Sequence, residues 1–168
     1  MNTRGFTLPE LMIVVLVLSI SAMVVVPLTR SDEATDIRAA AELLAADIEE
    51  VQARNLADPR QPTSLVPSEQ RDGWHLAWSG APEQAIPGID GSPRARCFGV
   101  GALASAGSLT LELPELPADG LRFDDQGAPL TQDTRILFKI LGTETGHAAE
   151  VTLSPATGRV SIAMVLEE

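Results

Sequence analysis

From Leu11 to Thr29 the chain carries no charged side chain, and the residue just before this run is an acid, Glu10. As a helix the run extends about 28 Å, close to the thickness of a bilayer hydrocarbon core. Ser19 and Ser21 can bond back to their own helix and do not veto a span. Pro27 falls near the far end, where it kinks or loosens a helix. Arg4 precedes the run, and a short basic N-terminus favours keeping that end in the cytoplasm. A carboxylate at the edge of a membrane span is costly, so Glu10 calls for a partner or a task.

The residues leading into the run are Gly5-Phe6-Thr7-Leu8-Pro9-Glu10. A small residue followed by an aromatic one, after a short polar start, has the form of a processing site. Small residues around Ser19-Ile20-Ser21-Ala22 offer a competing reading as a secretory signal peptide. Pro9 and Glu10 inside that core, and apolar sequence continuing past Ala22, argue against it. A plain single-span anchor is the other alternative.

The hexapeptide resembles the processing and assembly signature of type IV pilins and type II secretion pseudopilins. The resemblance implies a leader over 1–5, cut between Gly5 and Phe6 by a prepilin peptidase that also methylates the amine of Phe6. Glu10 is then the fifth mature residue, where the family has its assembly glutamate. A charge buried in lipid is expensive alone, and pairing with the Phe6 amine of a neighbouring subunit offsets much of that cost. That amine exists only after cleavage, so processing would precede assembly. The resemblance further implies a transmembrane helix over 6–29, its amphipathic continuation over 30–58, and a periplasmic β-rich domain over 59–168. The protein is then expected as a single-pass component of the bacterial inner membrane, N-terminus cytoplasmic, with other pseudopilins or pilins as partners.

Beyond the run, Asp32 to Ala57 reads as an amphipathic helix. Ile37, Ala41, Leu44, Ile48 and Val51 recur at spacings of four and three, without glycine or proline. Asp36, Glu42, Asp47, Glu49 and Glu50 mark mostly other faces, and Asp58-Pro59 ends the helix. The apolar stripe is expected to serve ordinary core packing. Joined to the anchor, the helix would form one rod of about 78 Å from Phe6 to Ala57.

After Pro59 the period changes to short β-type runs between glycine and proline punctuation. Strands are expected at Ser64–Val66, Trp74–Trp78, Arg96–Phe98, Ser108–Leu113, Leu121–Phe123, Arg135–Leu141, Ala149–Leu153 and Arg159–Val165. Trp74, Leu76 and Trp78 are expected to share one buried face, as are Leu109, Leu111 and Leu113. Ser154-Pro155-Ala156-Thr157-Gly158 reads as a hairpin loop. The stretch from Ser79 to Arg94 is long for a structureless loop, so it is mobile, functional or hides a strand, and it reads first as a mobile or variable surface loop. No parallel β-α-β rhythm is present, so the fold class is α+β: a long N-terminal helix, transmembrane then amphipathic, packed on an antiparallel sheet.

Three segments carry a finer resemblance, to the GspH/FimT branch of the pilin-like proteins. Phe123-Asp124-Asp125-Gln126-Gly127-Ala128-Pro129 resembles its "F-x-x-x-G-x-P" hairpin, and Val151 to Val160, with Thr157-Gly158-Arg159 at the turn, its closing hairpin. Val51 to Ala57 loosely resembles the end of its helix. This implies a pilin-like fold and, first, a minor pseudopilin of a type II secretion system, similar to the H subunit. The alternative is a FimT-like minor pilin of a type IV pilus.

Chemistry is sparse. His75 and His147 are far apart, and no HExxH, CxxC or G-x-S-x-G is present. Gly99-Val100-Gly101 lacks the third glycine and following helix of a phosphate loop. Asp124-Asp125 falls short of the six or more oxygens of a calcium site. Cys97 is the only cysteine, so no intrachain disulfide can form, and it is expected as a small buried apolar residue. No enzyme activity, cofactor, metal or small-molecule substrate is expected. Net charge is −11; Arg4 and Glu10 cancel, so the whole excess lies beyond Thr29. Arg94 and Arg96 read as an isolated pair in a flexible region. The "Gly-Arg-x-Arg" pattern of FimT-type DNA binders is broken, since Gly158-Arg159 is followed by Val160 and Ser161. Nucleic-acid binding is therefore not expected.

Overall fold

The computed structural model describes residues 8–28, 32–113, 116–117, 119–130, 136–143 and 146–166, with backbone alone over 22–28. The chain divides into two compact units, 1–32 and 33–168. The first holds helix α1 (Leu8–Leu28). Its side chains from Leu8 to Ser21 are exposed and, Glu10 and the two serines apart, almost all apolar. Ser19 Oγ and Ser21 Oγ donate to the carbonyls of Val15 and Val17, both at 2.8 Å, so neither hydroxyl is left unmet. Among the described residues no helix is long and apolar enough to cross a membrane.

The second unit opens with helix α2 (Glu33–Ala57). α1 ends at Leu28 and α2 begins at Glu33, and the expected rod from Phe6 to Ala57 passes through residues outside the described ones. Asp is favoured just before a helix begins, because its short side chain competes for the helix's first amides. Ile37, Ala41, Leu44, Ile48 and Val51 are all fully buried, as their spacing predicts. At the C-terminal end Asp58 N bonds Arg54 O at 2.9 Å, and Asp58 Oδ1 accepts from Arg60 N.

Two antiparallel sheets follow. The first contains β1 (Thr63–Pro67), β2 (Gly73–Trp78), β3 (Ala81–Ala85) and β4 (Ala95–Cys97). β1 runs along one edge of β2, and β3 and β4 share the other, β4 against Gly73–His75 and β3 against Ala77–Trp78. The second has the order β5 (Thr110–Glu112), β6 (Ile136–Leu141), β7 (His147–Leu153) and β8 (Val160–Leu166). α2 lies against β1 of the first sheet and β6, β7 and β8 of the second. One core results, drawn from α2, Leu65, Trp74, Leu76, Phe98, Leu111, Phe138, Ile140 and Val151. Fully burying each large side chain contributes about 1.5–3 kcal/mol.

Three expectations are corrected. The stretch from Ser79 to Arg94 contains β3 and a bridge between Pro87 and Pro93. Its sequence Ala-Pro-Glu-Gln-Ala has no apolar alternation because no residue of β3 is fully buried. Leu121–Phe123 forms two single bridges, Leu65 to Leu121 and Phe123 to Pro129, instead of a strand. The chain turns at once, with Asp124 N bonding Ala128 O at 2.8 Å and Gly127 at φ 83°. Trp78, the last residue of β2, is 37% exposed although it keeps the same register against β1 as Trp74 and Leu76.

Candidate functional site

Glu10 lies in the first turn of α1 and is exposed among Leu8, Leu11, Met12 and Ile13. A carboxylate there interacts favourably with the positive end of the helix dipole. Pro9 is tolerated in the same turn, where its missing N–H has no intrahelical acceptor. Gly5 and Phe6, and Arg4 of the expected leader, lie outside the described residues.

Residues 1–26 match the prokaryotic N-terminal methylation motif. The chain carries a type IV pilin-like signal. The motif covers the proposed leader, Glu10 and most of α1, and implies processing by a prepilin peptidase and assembly with other pilins. No curated protein and no solved structure is found to match the chain.

The second unit contains a polar cluster that sequence reasoning misses. Asp47 is buried on α2, with 3% of its surface exposed. Its Oδ2 accepts from Trp74 Nε1 at 2.8 Å and from Arg96 Nε at 3.2 Å. One turn on, Glu50 accepts from Arg54 at 2.8 Å and from Arg94. Trp74 stands edge-on to Phe98, with centroids 6.0 Å apart. The cluster clasps the end of the 79–97 stretch to the helix. Arg94 and Arg96 are thus ion-paired, correcting the expectation of an isolated pair, and Asp47 faces inward rather than toward solvent. A signal was available, since Asp47 falls three residues from both Leu44 and Glu50, on the shoulder of the apolar stripe.

Beside the clasp runs a surface groove of about 720 Å³, lined by Glu50, Arg54, Arg94, Arg96, Cys97 and Val100. Its three arginines each meet a carboxylate, leaving an almost neutral wall. Cys97 is exposed, against expectation. It sits opposite Gly73 at the outer edge of the first sheet while its neighbour Phe98 turns into the core.

The histidines serve structure. His75 Nε2 lies 2.7 Å from Pro82 O, which fixes the proton on that nitrogen and ties β2 to β3. His147 opens β7. Asp124 Oδ1 accepts from Gln126 N at 2.9 Å and Ala128 N at 2.8 Å, spending its lone pairs on the turn. Among the described residues no group of three His, Cys, Asp or Glu is placed to hold a metal.

The two C-terminal hairpin glycines meet on α2. Gln52 Nε2 donates to Gly127 O at 2.7 Å. A Cβ on Gly158 would stand 2.3 Å from both Gln52 Nε2 and Gly127 O. Segments far apart in sequence thus converge on one helix residue, and the close approach requires glycine.

Proposed function

We propose that this protein is a minor pseudopilin of a type II secretion system, a non-enzymatic subunit of the periplasmic pseudopilus. The observation that carries the reading is the N-terminal methylation motif over residues 1–26, with Glu10 in the first turn of an apolar helix. The uncharged run from Leu11 to Thr29 supports a single membrane span, with Arg4 holding the N-terminus in the cytoplasm. A helix packed across antiparallel sheets, with Gly127 and Gly158 converging on it, supports placement in the GspH/FimT branch. In this reading the prepilin peptidase cuts between Gly5 and Phe6 and methylates Phe6. The new amine then pairs with Glu10 of a neighbouring subunit, so cleavage creates the partner that assembly needs.

A FimT-like pilus subunit is the second reading, because the same motif serves both systems. The paired states of Arg94 and Arg96 favour a version of it that does not bind DNA.

Intact mass and N-terminal sequencing of membrane-extracted protein test the processing step. The expected chain begins at Phe6 with one added methyl. A chain beginning at Met1, or near Val24 as a secretory peptidase would leave it, overturns the reading.

A further inference from the structure

We infer that Asp90–Gly91 is a site of spontaneous backbone modification, where the chain rearranges through a succinimide to isoaspartate. The inference rests on the second unit and is independent of the pilin reading. The chemistry needs an aspartate whose carboxyl can be reached by the amide nitrogen of the next residue. Glycine is the best following residue, because it has no side chain to block the approach and its backbone rotates freely. The sequence holds three such pairs, Asp72-Gly73, Asp90-Gly91 and Asp119-Gly120.

The fold separates the three. Gly73 opens β2 and is buried, and a Cβ there would collide with Arg96 O. Gly120 is buried beside β1, where a Cβ would collide with Leu65 O. Its N bonds Pro117 O at 2.8 Å, and the Asp119 carboxylate is held by Arg122 at 3.1 Å. At both places the peptide after the aspartate is wedged against main chain and cannot turn without local opening. Asp90 and Gly91 are both exposed, at the tip of the hairpin that links β3 to β4, beyond the bridge between Pro87 and Pro93. Apart from its chain neighbours, nothing lies within 4 Å of a Cβ built on Gly91.

The Asp90 carboxyl is already folded back over the glycine. Its Oδ1 accepts from Ser92 Oγ at 2.6 Å and from Ser92 N at 3.1 Å, so it reaches across the Gly91 peptide. The same bonds, the hydroxyl's first, hold this carboxyl below its usual range. Gly91 N bonds Gly88 O at 3.0 Å, a turn contact that lies outside both strands. Once that contact opens, Gly91 N attacks Asp90 Cγ, and the amide proton leaves with the carboxyl hydroxyl as water. Water then adds to either carbonyl of the ring. Breaking the new Cγ–N bond restores aspartate, and breaking the original peptide C–N bond gives isoaspartate. The chain then runs through the Cβ and Cγ of Asp90, one methylene longer, and Gly88 N loses its register with Ser92 O.

The test holds the detergent-solubilised full chain for weeks in heavy-oxygen water at mildly acidic pH, where more of the carboxyl carries the proton that departs with water. The chain is then digested in ordinary water and its peptides are read by mass and fragmentation. Whichever way the ring opens, it leaves a heavy oxygen on the residue, and isoaspartate is told from aspartate by its fragments. In the folded chain, label and isoaspartate at residue 90 should exceed those at 72 and 119 by about tenfold. In guanidinium chloride the three sites should come within about twofold of one another, because no fold then protects any of them. Asp90→Glu keeps the charge but would need a larger ring, which closes far more slowly, so this variant should lose the label from that peptide with an unchanged circular dichroism spectrum. No isoaspartate at 90 in the folded chain, or equal label at the three sites, overturns the inference. A preference for 90 that persists in guanidinium overturns it as well, since the fold would then not be what selects the site.

Discussion

Two carboxylates on helices have opposite assignments, and their surroundings explain why. Asp47 is buried and met by an indole N–H and a guanidinium, so its role is to hold the 79–97 stretch against α2. Removing it strands the Trp74 N–H in the core, while Arg94 and Arg96, about one-third exposed, can turn to water. Asp47→Ala should therefore cost about 2 kcal/mol, the scale of a buried unsatisfied donor plus a lost charged hydrogen bond. Thermal unfolding should show a fall on the order of 8 °C, and amide exchange should quicken first in β3 and β4. An unchanged midpoint would show that the cluster contributes nothing. Glu10 lies exposed in the first turn of α1, in the motif region, and in the proposed reading it meets the Phe6 amine of a neighbouring subunit. Glu10→Ala should leave cleavage and membrane insertion intact and cut crosslinking to neighbouring subunits about tenfold. Equal crosslinking would remove Glu10 from assembly.

The elements differ in how openly the sequence declares them. α2 was legible because five fully buried residues keep helical spacing. β6 and β7 were legible because Ile136, Phe138, Ile140 and Val151, Leu153 alternate over a covered face. β3 was not, because a strand without buried residues has no pattern to read. Nor was the state of Leu121–Phe123, which makes single bridges that depend on β1 lying alongside and on a turn held by Asp124. Of the candidate site, the N-terminal signature was readable as a linear motif. Of the Asp47 clasp only a hint was readable, the acid's place on the shoulder of the apolar stripe, since its partners Trp74 and Arg96 come to it only in the fold. The hairpin glycines fall between these cases: their turns were legible, and their common contact with Gln52 was not. That contact gives a sharp test. Gly158→Ala sets a methyl against the Gly127 carbonyl at a φ of 63° and should destabilise by roughly 3 kcal/mol. Gly91→Ala, at a φ of 80° with open space around it, should cost only about 1 kcal/mol. Equal losses in denaturant titrations would show that strain alone, and not the junction at Gln52, sets the cost.

For the whole molecule, the division into two units separates the motif-bearing helix from the hydrophobic core. Among the described residues the hydrophobic core lies from Ile37 onward, within the second unit. A fragment from Arg30 should fold alone, with a cooperative unfolding transition. The same fragment carries the entire net charge of −11, because the only charges before it, Arg4 and Glu10, cancel. Among the described residues five of its arginines meet a carboxylate: Arg38 with Glu42, Arg54 and Arg94 with Glu50, Arg96 with Asp47, and Arg122 with Asp119. Binding to a phosphate backbone needs several cations acting together and releasing counterions, which gives a steep fall in affinity with salt. Here those five cations would first have to leave a carboxylate, and the surrounding acidic surface repels the duplex at long range. The fragment should show no gel shift with duplex DNA at about 50 mM salt, the condition most favourable to detection. Asp47→Asn, which frees Arg96 of its negative partner, should not create one. Salt-sensitive micromolar binding by the unmodified fragment would mean that these pairs open toward DNA, and would raise the FimT-like reading above the secretion role.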